Sequence, residues 1–436
     1  MWKHVLLGIL IREVLAPFTG HPYDLEVWAR LGVYMQSLQN PYIGFPYYPG
    51  ISFNPSHLTG SISYPPLSAF IFGLTFRLYF LLGEPTRFLY YFLLKQPMVF
   101  SDIGCALVLA RIVSLSKAAT TARSVFLIWT YFPLAIITSS LWGALDPIVV
   151  FLTLLTVYYF STSRFLLSAA VLGVAIFVKT IPVICLPLIL MQDEITMEKR
   201  VRYSCVALGI PAVGTLSPFV LLHWDTMEII RNFSFQINGP NFEGISPLGG
   251  YFIAPFLPTA LVTLAWTLWI PALFATYLYT FTRKPSLLQS LLVVFLVFIV
   301  ARPFVSEQWA LYPLAILLAM ATKLNLQHFV GLSVSATGFL VSNNTLLLPF
   351  FSPLSFAFAF YPSVPARLVP MSLFILLFFV ETLLTLSGRT SILYSLLDKI
   401  VSKLMVKNRL RVRGLSDVEV ASSESVANST QVRLKR

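Results

Sequence analysis

Apolar residues in this chain run on without the alternation of a strand, in stretches long enough to cross a hydrocarbon core, which takes about 20 helical residues. The clearest are Phe88–Ile112, Val125–Leu141, Tyr203–Leu222, Ile253–Phe281 and Leu368–Leu386. A membrane barrel would alternate with period two, so these runs predict helices and an all-α fold. Met1–Pro17 is also apolar, but Arg12 and Glu13 interrupt it and no small-residue cleavage site follows; it reads as a retained first helix rather than a signal peptide. Tyr64–Leu82 carries Arg77 and, as a full crossing, would put the Arg111–Arg123 loop on the wrong side, so a half-embedded or re-entrant helix fits better. Lys179 and Pro182 break Leu166–Met191 into two short helices that meet near the outer surface.

Composition agrees with the pattern. With 57% hydrophobic and 11% charged residues among 436, the chain is too apolar for a water-soluble domain. Its sparse basic residues gather in short loops: Arg111, Lys117 and Arg123; Arg164; Lys199, Arg200 and Arg202; Arg283 and Lys284; and Lys323. If these loops are cytoplasmic, Thr19–Ser63, Leu141–Asp146, His223–Gly250 and Ala301–Gln308 lie on the outer side. The same reasoning gives about 11 to 13 membrane segments within residues 1–388. Residues 389–436 then form a basic cytoplasmic tail, with ten Lys/Arg against four acids, suited to anionic headgroups rather than nucleic acid. No internal repeat of the kind found in secondary transporters stands out. Cys105, Cys185 and Cys205 all lie inside apolar runs, as packing residues do, and give neither a disulfide framework nor a zinc site. The sequons at Asn232, Asn343 and Asn428 decide nothing about compartment, since the last falls in the tail.

The outer segments hold most of the unusual polar residues. The first, 19–63, contains Asp24-Leu25-Glu26-Val27-Trp28-Ala29-Arg30, two carboxylates two residues apart beside an aromatic. In an extended segment or tight turn Asp24 and Glu26 could act together, whereas in a helix they would not share a face. The plainer reading makes Asp24 a helix cap and Glu26 a partner of the helix dipole. Tyr64-Pro65-Pro66-Leu67 follows, then Trp142-Gly143-Ala144-Leu145-Asp146, where a cap again explains the acid equally well. Lys179 ends an apolar run, and Arg302 and Glu307 mark another outer junction in Arg302-Pro303-Phe304-Val305-Ser306-Glu307-Gln308-Trp309. An ionisable residue at such depth faces a cavity or a partner, or else snorkels to the surface. Carboxylates and cations crowded on one face suit transfer of a sugar from a lipid phosphate. The phosphate leaving group needs positive charge and the acceptor hydroxyl needs one base, so the paired acids of glycoside hydrolysis are not required.

In their order and placement these motifs resemble the GT-C superfamily of membrane glycosyltransferases that use polyprenyl-phosphate sugars. The resemblance runs from Met1 to about Gln327, and is nearest the branch holding GPI mannosyltransferase II-like proteins and the dolichyl-phosphate-glucose-dependent glucosyltransferases of N-glycan assembly. It implies a GT-C-like bundle with an outer-face active site, and Asp24 as general base. Trp142, Asp146 and Lys179 are similar to the family's Trp-Gly-x-x-Asp junction and following lysine. The chain departs from the pattern at Ser306, where a histidine usually precedes the glutamate, and at Ala144, where a glutamine is often found. Charge and position, not the family, nominate Arg302 as the replacement phosphate contact.

The expectation is therefore an inverting hexosyltransferase, with Asp24 and Glu26 catalytic and Trp28, Arg30, Tyr64, Trp142, Asp146, Lys179, Arg302 and Glu307 binding donor or acceptor. Its partners would be membrane lipid, a polyprenyl- or dolichyl-phosphate mannose or glucose, and a lipid-linked glycan, with no nucleic acid. No cofactor is required, although an Asp-x-Glu pair could bind a divalent metal. Short loops and a lean outer face favour a cell membrane with the site extracellular, the endoplasmic reticulum with a lumenal site being the alternative. A transporter or lipid flippase is the rival class, expected to show internal repeats and charges near mid-bilayer. A protein O-mannosyltransferase or oligosaccharyltransferase-like member would call for a large outer domain that no stretch here supplies.

Overall fold

In a computed structural model of the chain, residues 2–44, 50–52, 62, 64–231, 269–302, 306–320, 326–343, 345–354 and 364–402 are described. Every regular element among them is helical. The first is α1 (Trp2–Leu15), followed by α2 (Asp24–Met35), α3 (Pro66–Leu81), α4 (Arg87–Ser114) and α5 (Ala119–Thr130). Next come α6 (Pro133–Ile136), which widens into a π-helical turn over Ile137–Trp142, then α7 (Asp146–Ser161) and α8 (Phe165–Val178). A 3-10 turn (Ile181–Ile184) leads to α9 (Cys185–Leu190) and α10 (Met197–Leu221). The remainder comprises α11 (Trp269–Arg283), α12 (Leu287–Ala301), a 3-10 turn (Glu307–Ala310), α13 (Leu311–Met320), α14 (Leu326–Asn343), a 3-10 stretch (Thr345–Leu354) and α15 (Val364–Ser387).

The predicted apolar runs become helices. Phe88–Ile112 lies inside α4, Tyr203–Leu222 inside α10 but for its last residue, and Leu368–Leu386 inside α15. Val125–Leu141 is split, because Pro133 starts a new helix and the two parts meet at 49°. Of Ile253–Phe281 only the part from Trp269 onward is described; residues 232–250 of the outer segment, the Asn232 and Asn428 sequons and the tail from 403 also fall outside the described residues. Three described helices, in α4, α10 and α15, are long and apolar enough to cross a membrane, or four if the bent α5–α6 pair is one span. Shorter apolar helices supply the rest of the described bundle. Among them α3, at 16 residues, falls short of a hydrocarbon core about 30 Å thick at 1.5 Å per residue.

Local chemistry sets several boundaries. The Thr86 hydroxyl accepts the Leu89 N–H to start α4, and Ser286 with Gln289 forms a capping box for α12. α4 is the hub, packing on α1, α3, α5, α7 and α13. α2 and α3 form a helical hairpin inside and after what the sequence offered as one outer loop. Their close approach to α4 requires Gly32, where a Cβ would stand 2.1 Å from the Tyr90 hydroxyl and 2.8 Å from the Phe72 carbonyl oxygen. Cys105 and Cys185 are packed as expected, but Cys205 is exposed on α10, a helix whose apolar window is only 22% buried and which leans chiefly on α8.

The loops sort to two ends. At one, Lys117 donates to the carbonyl groups of Ala319 and Met320, and Lys284 pairs with Asp193 at 2.9 Å. At the other, Trp224 donates to the Leu38 carbonyl, Asn40 to that of Asp225, and Tyr42 to that of Tyr64. This second end carries the unusual polar residues.

Candidate functional site

Asp24 opens α2 as its first helical residue, with Tyr23 in the cap position and no side-chain cap bond. Its carboxylate is thus spared for the indole N–H of Trp142, which donates to Oδ2 at 2.7 Å. Trp142 ends the π-helical turn, and the next residue, Gly143, has φ +79°, a left-handed turn that favours glycine. The His21 ring stacks on the Trp142 indole at 4.5 Å and 13°, and Phe350 closes edge-on against both. The Asp24 side chain is half-buried and so reachable, while the indole that holds it is buried.

Asp146 and Lys179 form a second unit. Asp146 begins α7 but makes no cap bond; both its oxygens accept from Lys179 Nζ at 2.9 Å, and the Tyr312 hydroxyl donates to Oδ1 at 3.1 Å. Lys179 reaches it because α8 breaks there, with the residue extended at φ −155° and ψ 136°. The pair is buried, so Lys179 does not snorkel and its charge is already balanced. The ammonium also lies over the Tyr64 ring at 5.3 Å and over Trp309 at 5.8 Å.

Arg302 completes the group from beyond the end of α12. Its guanidinium faces Trp309, Phe298 and Trp269 at 4.9, 5.1 and 5.9 Å, and no carboxylate pairs with it among the described residues. Burial lowers its pKa to about 10, against a smaller opposing effect of the Tyr64 phenol. Tyr64 is the shared neighbour: burial pushes its hydroxyl well up, with further upward contributions from Asp24, Asp146 and Tyr23 and a downward one from Arg302. Trp28 stacks on Phe72 at 4.8 Å, tilts against Tyr64 at 5.6 Å, and its buried indole N–H has no hydrogen-bond partner among the described residues. Glu307 is buried at the start of the 3-10 turn that carries Trp309.

The expected pairing of Asp24 with Glu26 does not form. Residues two apart on a helix point about 200° apart, and Glu26 turns inward to accept from Arg30 Nε at 2.6 Å, both side chains fully buried. The capping roles considered for Asp24 and Asp146 are likewise replaced by side-chain partners from other helices. Among the described residues no three His, Cys, Asp or Glu side chains converge as ligands for a metal ion.

No protein-family model and no curated protein matches the chain. Among solved structures with a similar outline, one illustrates the likeness. It is the crystal structure of ArnT from Cupriavidus metallidurans bound to undecaprenyl phosphate, with a TM-score of 0.46 and 15% identity over 87% of this chain and 77% of that one.

Sequence reasoning missed His21, Tyr312, Phe350 and Lys95. Tyr312 and Phe350 carry little signal, being ordinary residues brought in from distant positions, and His21, three residues before Asp24, has no pattern of its own. Lys95 had one: it is a cation well inside the long apolar run Phe88–Ile112, whose other cation, Arg111, stands at its far end. Chemically, the assembled group offers a reachable carboxylate oriented by an indole N–H, an arginine with no carboxylate partner among the described residues, and a phenol in electrostatic contact with both.

Proposed function

We propose that the chain is an inverting GT-C glycosyltransferase that moves mannose or glucose from a polyprenyl- or dolichyl-phosphate donor to a lipid-linked glycan. The acceptor hydroxyl attacks the anomeric carbon, its proton passes to Asp24, and the bond from that carbon to the phosphate oxygen breaks with its electron pair leaving on the lipid phosphate. Arg302 receives the charge that develops on that phosphate, a bidentate task suited to guanidinium. Lys179, balanced by Asp146, shapes the pocket and adds field rather than net charge. The lipid phosphate that leaves is of the same chemical class as the undecaprenyl phosphate bound in the ArnT crystal. The site works at the outer face, extracellular in a cell membrane.

The observation that carries this reading is an arginine with no carboxylate partner among the described residues, in the same polar group as a half-buried, indole-held carboxylate. The rival transporter reading predicts internal repeats and charges near mid-bilayer; of the buried charges on α1 and α4, Arg12 and Asp102 are bonded to each other at 2.7 Å and so balance one another.

The test is incorporation of radiolabelled sugar by the purified protein in lipid, from polyprenyl-phosphate mannose and separately from polyprenyl-phosphate glucose, into a membrane glycolipid extract. Label transferred from one of them supports the reading; a well-folded protein that transfers neither contradicts it. With the active donor, Arg302→Gln lowers kcat/KM by on the order of 10²-fold, the cost of removing one charge-stabilising donor. Initial rates across donor concentration check this, and an unchanged kcat/KM moves the phosphate contact to another residue.

A further inference from the structure

Lys95 lies on α4, fully buried, and its ammonium reaches no carboxylate among the described residues. It donates instead to four oxygens: the Thr19 and Ser140 carbonyls at 2.6 Å each, and the Leu141 carbonyl and Thr19 Oγ1 at 3.2 Å each. An ammonium has three protons, so the four acceptors share them. Ser140 and Leu141 stand in the last turn of the π-helical segment, where carbonyl groups lack partners within the helix and a buried cation satisfies them. Thr19 stands where the chain has just left α1.

The two strips that Lys95 joins are the ones that carry Asp24 and Trp142. Trp142 follows Leu141 directly, and Asp24 is five residues beyond Thr19. Between them the Thr19 hydroxyl reaches the Ser140 carbonyl at 3.3 Å, the His21 backbone N–H donates to the Trp142 carbonyl at 3.2 Å, and the Asp24 N–H donates to His21 Nδ1 at 3.3 Å. The Lys95 stem also runs under Gly143, where a Cβ would sit 3.1 Å from its Cε and 3.2 Å from its Cγ. A side chain at position 143 would therefore press on the clamp as well as strain the turn.

We propose that Lys95 is a positioning residue: it fastens the Asp24 strip to the Trp142 turn and so fixes the distance over which the indole N–H aims the carboxylate. The proposal rests on the reading of Asp24 as general base, and its experiment separates the two. Full-length protein in nanodiscs is compared with Lys95→Met and with Thr19→Val by hydrogen–deuterium exchange and by transfer kinetics. In Lys95→Met, peptides over 19–25 and 138–146 exchange faster while those in α15 do not change. Its kcat falls by on the order of 10²-fold, as a misplacement of about 1 Å at a reacting group does, with donor KM unchanged. Thr19→Val, which keeps the cation and loses one acceptor, shifts both quantities less and in the same direction; it decides the matter if Lys95→Met does not fold. Unchanged exchange in both strips overturns the clamp whether or not the protein transfers sugar. Faster exchange with an unchanged kcat overturns the positioning role. Faster local exchange together with a kcat loss supports it, and faster exchange in a protein whose Asp24→Asn form is fully active leaves the clamp standing and removes the base.

Discussion

Asp24→Asn protein folds like the wild type and transfers sugar more slowly by on the order of 10²–10⁴-fold, the usual worth of a general base. Asparagine is isosteric with aspartate, and its side-chain oxygen still accepts the Trp142 N–H that now reaches Oδ2 at 2.7 Å. The stacked His21 and Trp142 rings and the edge-on Phe350 are untouched. What changes is basicity, together with a negative charge in the first turn of α2, which is worth about 0.3–1 kcal/mol. Melting temperature and turnover measured on the same preparation separate the two effects. A folded Asp24→Asn protein with wild-type turnover would take the base role away from this residue.

Lys179→Met is expected to act in the opposite way, through stability first. Asp146 and Lys179 are 1% and 5% exposed, and removing the cation leaves a buried carboxylate with only the Tyr312 hydroxyl. Breaking one side of a buried pair costs about 3–5 kcal/mol, whereas replacing both sides with apolar groups is often neutral. The double variant Lys179→Met with Asp146→Leu should therefore regain most of the thermal stability that Lys179→Met loses. Unfolding in one detergent, with wild type alongside, measures this. If the single variant melts with the wild type, the pair is not the buried ionic contact described here. The double variant also has a functional meaning, because it keeps the net charge of the pocket and leaves Arg302 to face the donor alone.

How much of this was legible beforehand depended on sequence distance. The apolar runs, the break at Lys179 and the grouping of loops at two ends follow from local pattern, since a helix announces itself within about 20 residues. The partners of the site do not. Lys179 meets Asp146 across 33 positions, Trp142 meets Asp24 across 118, and Tyr312 meets Asp146 across 166. Arg12 looked like an interruption of the first helix; its meaning is Asp102 on α4, which also accepts from Trp129 and Ser139. Lys95 and Asp102 each stood out as a charge within an apolar run, but the run's average masks them and their partners lie elsewhere in the chain. The π-helical turn that brings Trp142 to Asp24 has no sequence signature beyond Gly143. Glu26 misled because two acids close in sequence suggested one site, and the helix separated them.

The account stands most directly on the stereochemistry of the product. A carboxylate that deprotonates the acceptor, with charge stabilisation at the leaving phosphate and no enzyme nucleophile, allows a single displacement. Nuclear magnetic resonance of the glycolipid made from a donor of known anomeric configuration should show the opposite configuration in the transferred sugar. Retention would rule out a single in-line displacement and would contradict Asp24 acting as the base that drives one.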